Sequence, residues 1–175
     1  MPLTLYAVFI PTARQTLGAL RGMIDKGEAH VKEHGLSDED LIEASLAEDM
    51  WALPHHVRSC WLHGSRTLEL IPDGEFSPDF TEIPKNWDAM RAMVDDALGK
   101  LDACKPDTIN ALEGTHVRFV LGGKCYFEGD GQDFLLSFNQ PNLYFHAATF
   151  YDILRHKGVV LGKPDFLGPM RLTRN

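Results

Sequence analysis

Between Leu3 and His34 the apolar residues Leu5, Val8, Phe9, Leu17, Leu20, Ile24 and Val31 recur at helical spacing, and Gly35 follows where a left-handed C′ residue belongs. This predicts one long amphipathic helix. A single apolar stripe of that kind has to be covered, and the rest of the chain supplies further helices to cover it. Ser37-Asp38-Glu39-Asp40 reads as an N-cap with an acidic first turn, with Leu36 placed as a hydrophobic staple; it opens a second helical region running to about Leu70, broken near Glu48. Pro72, Pro78 and Pro84 mark Ile71 to Lys85 as a surface loop. A third helix is expected from Asn86 to Cys104, with Trp87, Met90, Val94, Leu98 and Leu101 on one stripe.

From Thr115 to Glu128 the period changes to two. Val117, Phe119 and Leu121 alternate before Gly122-Gly123, and Cys125 and Phe127 after it, which predicts a β-hairpin with a two-residue glycine turn. A fourth helix follows from Gly131 to Lys157 and ends at Gly158. The expected fold is all-α: an antiparallel four-helix bundle with a small β-hairpin before the last helix, in a single domain over residues 1–175.

With 175 residues, 44% of them hydrophobic and 24% charged, the chain can bury one substantial core. Its formal charge of -8, with the 17 Lys and Arg scattered, argues against nucleic acid or an anionic membrane surface as partner. The longest apolar run near the start, Tyr6 to Pro11, is too short to span a bilayer. Cys60, Cys104 and Cys125 stand at wide spacings with no C-x-x-C pair, as expected of reduced thiols in a cytoplasmic protein.

Eight histidines direct attention to metal and acid–base chemistry. His30 and His34 share a helix face, but they fall in the last turns before Gly35, where imidazoles favourably meet the helix dipole. On the second helical region His56 and His63, seven apart, share a face with Cys60, among the core candidates Leu53, Val57 and Leu62. A hydrogen-bonded core histidine is the plainer account of that face. Asn142 and His146 project together at i, i+4 on the fourth helix, where His56 could meet them. Two imidazoles and a carboxamide are a poor set for zinc, though usable by a harder ion with added waters.

Pro11, Pro54 and Pro141 lie inside segments that otherwise read as helix. Each removes an N–H and frees a carbonyl, those of Ala7, Met50 and Ser137. Pro11 and Pro54 are equally compatible with the first turns of shorter helices, whereas Pro141 points to a kink or a late helix start. Glu128 to Asp133 lacks the EF-hand order, and Gly122-Gly123-Lys124 is no phosphate loop.

The stretches Pro141-Asn142-Leu143-Tyr144-Phe145-His146 and Ile153-Leu154-Arg155-His156-Lys157-Gly158-Val159, continued by Leu161-Gly162-Lys163-Pro164-Asp165-Phe166-Leu167-Gly168, together with Asp49-Met50-Trp51-Ala52-Leu53-Pro54, resemble a bacterial and fungal branch of the DinB/YfiT-like superfamily catalogued as a domain of unknown function. The resemblance spans nearly the whole chain. It implies an up-down-down-up four-helix bundle, often a homodimer. Metal-binding members carry one histidine on helix two and an H-x-x-x-H pair on helix four, the second nine residues before a helix-ending arginine. His146 precedes Arg155 by that interval, the first of the pair falls on Asn142, and the helix-two ligand falls on His56. The chain therefore departs from the metal pattern at one of three positions. Related bundles include thiol S-transferases, maleylpyruvate isomerase and DNA-damage-inducible proteins, so the fold implies no single reaction.

These readings converge on a small-molecule enzyme of isomerase, transferase or cyclase type working between helices two and four. His56, His146 and Asn142 are its expected catalytic groups, and Trp51, Trp61, Tyr144 and Tyr151 the expected walls of its substrate pocket. No cofactor is expected, apart from a divalent metal that His56 and His146 could hold. The alternative is a non-catalytic dimer or small-ligand-binding protein in which the same polar residues form a satisfied core network.

Overall fold

The computed structural model describes residues 3–78 and 82–173. The long first helix, α1 (Leu5–His34), is capped by Thr4, whose hydroxyl accepts the Ala7 N–H, and ends at Gly35 in the left-handed conformation. Pro11 sits inside α1 without ending it, so one long helix is the form adopted rather than a later start at Pro11. The second helical region is less continuous than its periodicity predicts. Only Glu39–Ile42 (α2) is helical after Ser37, and the chain then turns irregularly to Ala52. The helix proper runs as α3 (Leu53–Trp61), a π-helical segment (Leu62–Arg66) and α4 (Thr67–Leu70). Pro54 stands in the first turn of α3, where its missing N–H costs nothing; it is a helix start, not a kink.

The stretch predicted as pure loop contains a short 3₁₀ turn (Ile71–Asp73) and a two-residue strand, β1 (Glu75–Phe76); its positions 79–81 lie outside the described residues. α5 (Trp87–Ala103) begins at Asn86, whose side chain accepts the Ala89 N–H, and a short α6 (Pro106–Asn110) follows. β2 (His116–Leu121) and β3 (Lys124–Asp130) form the expected hairpin, with Gly122 and Gly123 both at positive φ as a tight turn demands. β1 joins β2 in parallel, so the hairpin becomes a three-stranded sheet, ordered β1-β2-β3. The fourth helix is α7 (Gly131–Asp133), a second π-helical segment (Phe134–Asn139) and α8 (Gln140–His156), with a one-turn α9 (Lys163–Leu167) beyond it.

Contacts between the helices give their directions. Along α1 and α5 the ion-paired partners Arg14 with Asp102, Arg21 with Asp95 and Asp25 with Arg91 run in opposite order, so these helices are antiparallel. α3 and α8 are antiparallel by the same criterion, through His56 with His146 and Cys60 with the Leu143 carbonyl. The order is shared by Trp61 with Asp96 and Glu69 with Lys100, which makes the second helical region parallel to α5. The result is an up-down-down-up bundle. Its core is apolar throughout the α1–α5 side, where Phe9, Ile10, Leu17, Leu20, Ile24, Met90 and Val94 are buried. Burying each such side chain contributes about 1.5–3 kcal/mol.

Candidate functional site

Buried polar side chains collect at the α3–α8 seam. His56, His63 and His146 are buried there together with Asn139, which has no exposed surface at all. Both π-helical segments lie at this level, and a side-chain bond from His63 Nδ1 to Asn139 Oδ1, 2.9 Å long, joins one to the other. The second segment has a local cause. Pro141 cannot donate to the Ser137 carbonyl and its ring crowds it, so the preceding turn widens and the Gln140 N–H reaches back to Leu135 instead. Asn139 closes the widened turn by donating from Nδ2 to the Phe134 carbonyl at 3.2 Å. Pro141 therefore produces a π turn rather than a kink or a late start.

The hydrogen bonds determine which nitrogen of each ring carries the proton. His56 Nε2 faces the Trp51 carbonyl at 3.2 Å, and a carbonyl only accepts, so this nitrogen is protonated. His56 Nδ1 then holds a lone pair, which accepts from His146 Nδ1–H at 3.0 Å. His63 Nδ1–H donates to Asn139 Oδ1, because the amide's nitrogen is engaged with Phe134. In the neutral state His63 and His146 are thus both protonated at Nδ1 and carry their lone pair on Nε2. Neither Nε2 has a hydrogen-bond partner among the described residues.

Electrostatics keep the rings neutral. Burial pushes His63 down to about 4, opposed only by its bond to Asn139. His146 is pushed down to about 3 by burial first, then by His56, His63 and Arg58. His56 is lowered as well, by burial, with the Trp51 carbonyl acting the other way. Trp51 lies over this pair. Its indole is half exposed on one side and stacks on His146 on the other, at a ring separation of 6.0 Å and an angle of 13°. His146 is near-parallel to His63 in turn (6.1 Å, 9°), and His63 to Phe76 of β1 (5.8 Å, 21°). Arg58 places its guanidinium 5.9 Å from the Trp51 ring.

Of the residues singled out in the sequence, His56, His146 and Trp51 meet in one place. Asn142 is half-buried and donates to the Phe138 carbonyl at 2.7 Å, so it contacts neither His56 nor the Ser137 carbonyl. Trp61 faces α5, where its Nε1–H donates to Asp96 at 2.7 Å and Lys100 lies over its ring. Tyr144 lines a separate cleft of about 420 Å³ with Thr12, Thr16 and Phe166. Tyr151 packs edge-on against Phe166. His63 and Asn139 are the members that the sequence did not mark as functional. The available signal was Pro141, since the register change it forces brings position 139 inward.

The metal set implied by the resemblance can be tested on these bonds. His56 has committed Nε2–H to Trp51 and the Nδ1 lone pair to His146, so it has no lone pair left for a cation. The set His56, Asn142 and His146 therefore does not fit a metal in this arrangement. Among the described residues no group of three or more His, Cys, Asp or Glu side chains is placed to hold one. Cys60, beside the site, is buried, and that burial pushes its thiol up, away from the thiolate form.

The fold is an up-down-down-up four-helix bundle with a small sheet ahead of its last helix. A crystal structure of a DinB family member protein from Shewanella denitrificans superposes with a TM-score of 0.80, covering 98% of this chain and 96% of that one at 24% identity. The chain belongs to the DUF1993 family, a domain of unknown function, whose model matches residues 5–167. No curated protein matches significantly.

Proposed function

We propose that the protein is a small-molecule enzyme, of isomerase, transferase or cyclase type, whose ligand meets His146 Nε2 beneath Trp51. The observation that carries this reading is the tautomer of His146: its Nδ1–H is tied to His56, which leaves an acceptor lone pair on Nε2 of a buried ring. A ligand O–H or enol proton taken up at Nε2 can be balanced by release of the Nδ1 proton to His56. The positive charge then rests on the ring whose Nε2–H is held by the Trp51 carbonyl. Two π-helical segments meeting at one seam support the same reading, since such segments are frequent at functional sites. The cytoplasm is the proposed compartment, supported by three unpaired cysteines, and a homodimer the proposed assembly, supported by the family resemblance.

A second reading is favoured by the Asn142 bond to Phe138 and the Asn139 bonds to His63 and Phe134: a non-catalytic, ligand-binding or purely structural network. The test is to incubate a pool of hydroxy- and oxo-acids with the protein and with His146→Gln, and to follow the pool by mass spectrometry. The enzymatic reading expects one component to be converted by the wild type alone, with both proteins folded. Identical pools with both would contradict it.

A further inference from the structure

Resting on the proposed role of His146, we infer that the loop from Ser45 to Ala52 is a lid over that ring, with Trp51 as its latch. His146 is only 7% exposed, so a ligand that reaches the imidazole has to displace a neighbour. The rings in contact with it are those of Trp51, His56, His63 and Phe145. Phe145 adjoins His146 on α8, and His56 and His63 stand, both buried, on the helical run from α3 into its π-helical segment. Trp51 alone of the four belongs to a stretch without regular structure, so its backbone can move away without breaking a helix.

The loop is built to move as one piece. Its base is closed by the Leu53 N–H, which donates to the Ala44 carbonyl at 3.1 Å between two buried residues, and this turns residues 45–52 into a compact Ω-like loop. Inside it the Ser45 hydroxyl and the Met50 N–H both donate to the Ala47 carbonyl, at 2.8 Å and 3.0 Å. Leu46, Ala47, Glu48 and Asp49 are all exposed, so little apolar burial holds the span down. Trp51 ties it to the bundle. The indole stacks on His146 and on His55, the latter at 5.6 Å and 27°, while the Trp51 carbonyl accepts the His56 Nε2–H at 3.2 Å. The residue that covers His146 thus also holds the proton of its partner ring. A weakly buried loop on a fixed base is the kind of element that opens over a site and closes on a ligand.

The test is carbethoxylation of the full chain by diethyl pyrocarbonate at neutral pH, with modification of His146 followed by peptide mass spectrometry and folding checked by circular dichroism. The reagent attacks an unprotonated ring nitrogen, which His146 carries at Nε2. His146 should react slowly in the wild type and about ten-fold faster or more in Trp51→Ala, whereas Trp51→Phe, which keeps a ring over the site, should stay close to the wild type. In the wild type the slow rate should stay flat in low urea, because opening a loop exposes little surface. A wild-type rate equal to that of Trp51→Ala, or one that climbs with urea in parallel with global unfolding, would overturn the lid while leaving the reading of His146 intact. An unreactive His146 in every variant would overturn both, since the ring could not then be reached from the side of the loop.

Discussion

The two long antiparallel seams of the bundle are built on different terms. Between α1 and α5 the helices are regular, the buried side chains are apolar, and charge is confined to the rim, where Arg91 pairs with Asp25, Asp88 and Glu28. Between α3 and α8 the helices each carry a π-helical segment, and three imidazoles and a carboxamide are buried in place of hydrocarbon. The first seam follows from hydrophobic burial alone. The second buries polar groups where hydrocarbon could pack, as the proposed ligand site requires.

This contrast can be broken from either side. The largest expected effect is in the apolar seam: Met90→Ala should cost about 2–5 kcal/mol in chemical denaturation, because the cavity it leaves is fully enclosed, and should leave the His146 ring signals unchanged.

Acid should act on the polar seam. His63 and His146 titrate at about 4 and about 3 in the folded state, below the ordinary value of 6.5, so between these limits the unfolded chain binds more protons than the folded one. Stability is therefore full above pH 6.5 and falls as pH drops toward 4. The loss from pH 7 to 5 should be on the order of 2 kcal/mol per histidine, measured by urea unfolding at each pH. His63→Leu should reduce that loss by about 2 kcal/mol over the same interval, and an unchanged slope would mean that His63 does not contribute to it.

Asn139→Ala leaves the His63 N–H and the Phe134 carbonyl without their partners, so a loss of about 1–3 kcal/mol is expected by thermal unfolding. The smallest effect belongs to the rim. Arg91→Ala should cost about 1 kcal/mol or less and lose even that in high salt, despite its three carboxylate partners, because two of them, Asp25 and Asp88, are more than half exposed. A larger loss would mean that the α1–α5 seam depends on charge more than its apolar interior suggests.

The apolar seam was readable in advance for a physical reason. α1 and α5 keep one helical period from end to end, so Leu17, Leu20, Met90 and Val94 fall on the stripe that the sequence shows. The hairpin was readable too, since period-two alternation around a Gly-Gly pair has few other solutions. The polar seam was legible only in part. His56 and His146 meet where facing helices of a bundle converge, while Asn142 donates to the Phe138 carbonyl, and Asn139, which the sequence does not mark, bonds to His63 from within the π turn ahead of Pro141. β1 was hidden for another reason. Two residues carry no period, and Glu75-Phe76 becomes a strand only by pairing with Arg118 and Phe119 far along the chain.

In the proposed function the His56–His146 pair serves a ligand and does not hold the bundle together. The double variant His56→Leu/His146→Phe replaces both partners by apolar groups of similar bulk, so that no donor or acceptor of the pair is left unanswered. Its free energy of unfolding in urea at pH 7 is the direct measurement. A value within about 1 kcal/mol of the wild type, or higher, is expected, whereas a loss of about 3 kcal/mol or more would make the pair a structural element of the bundle.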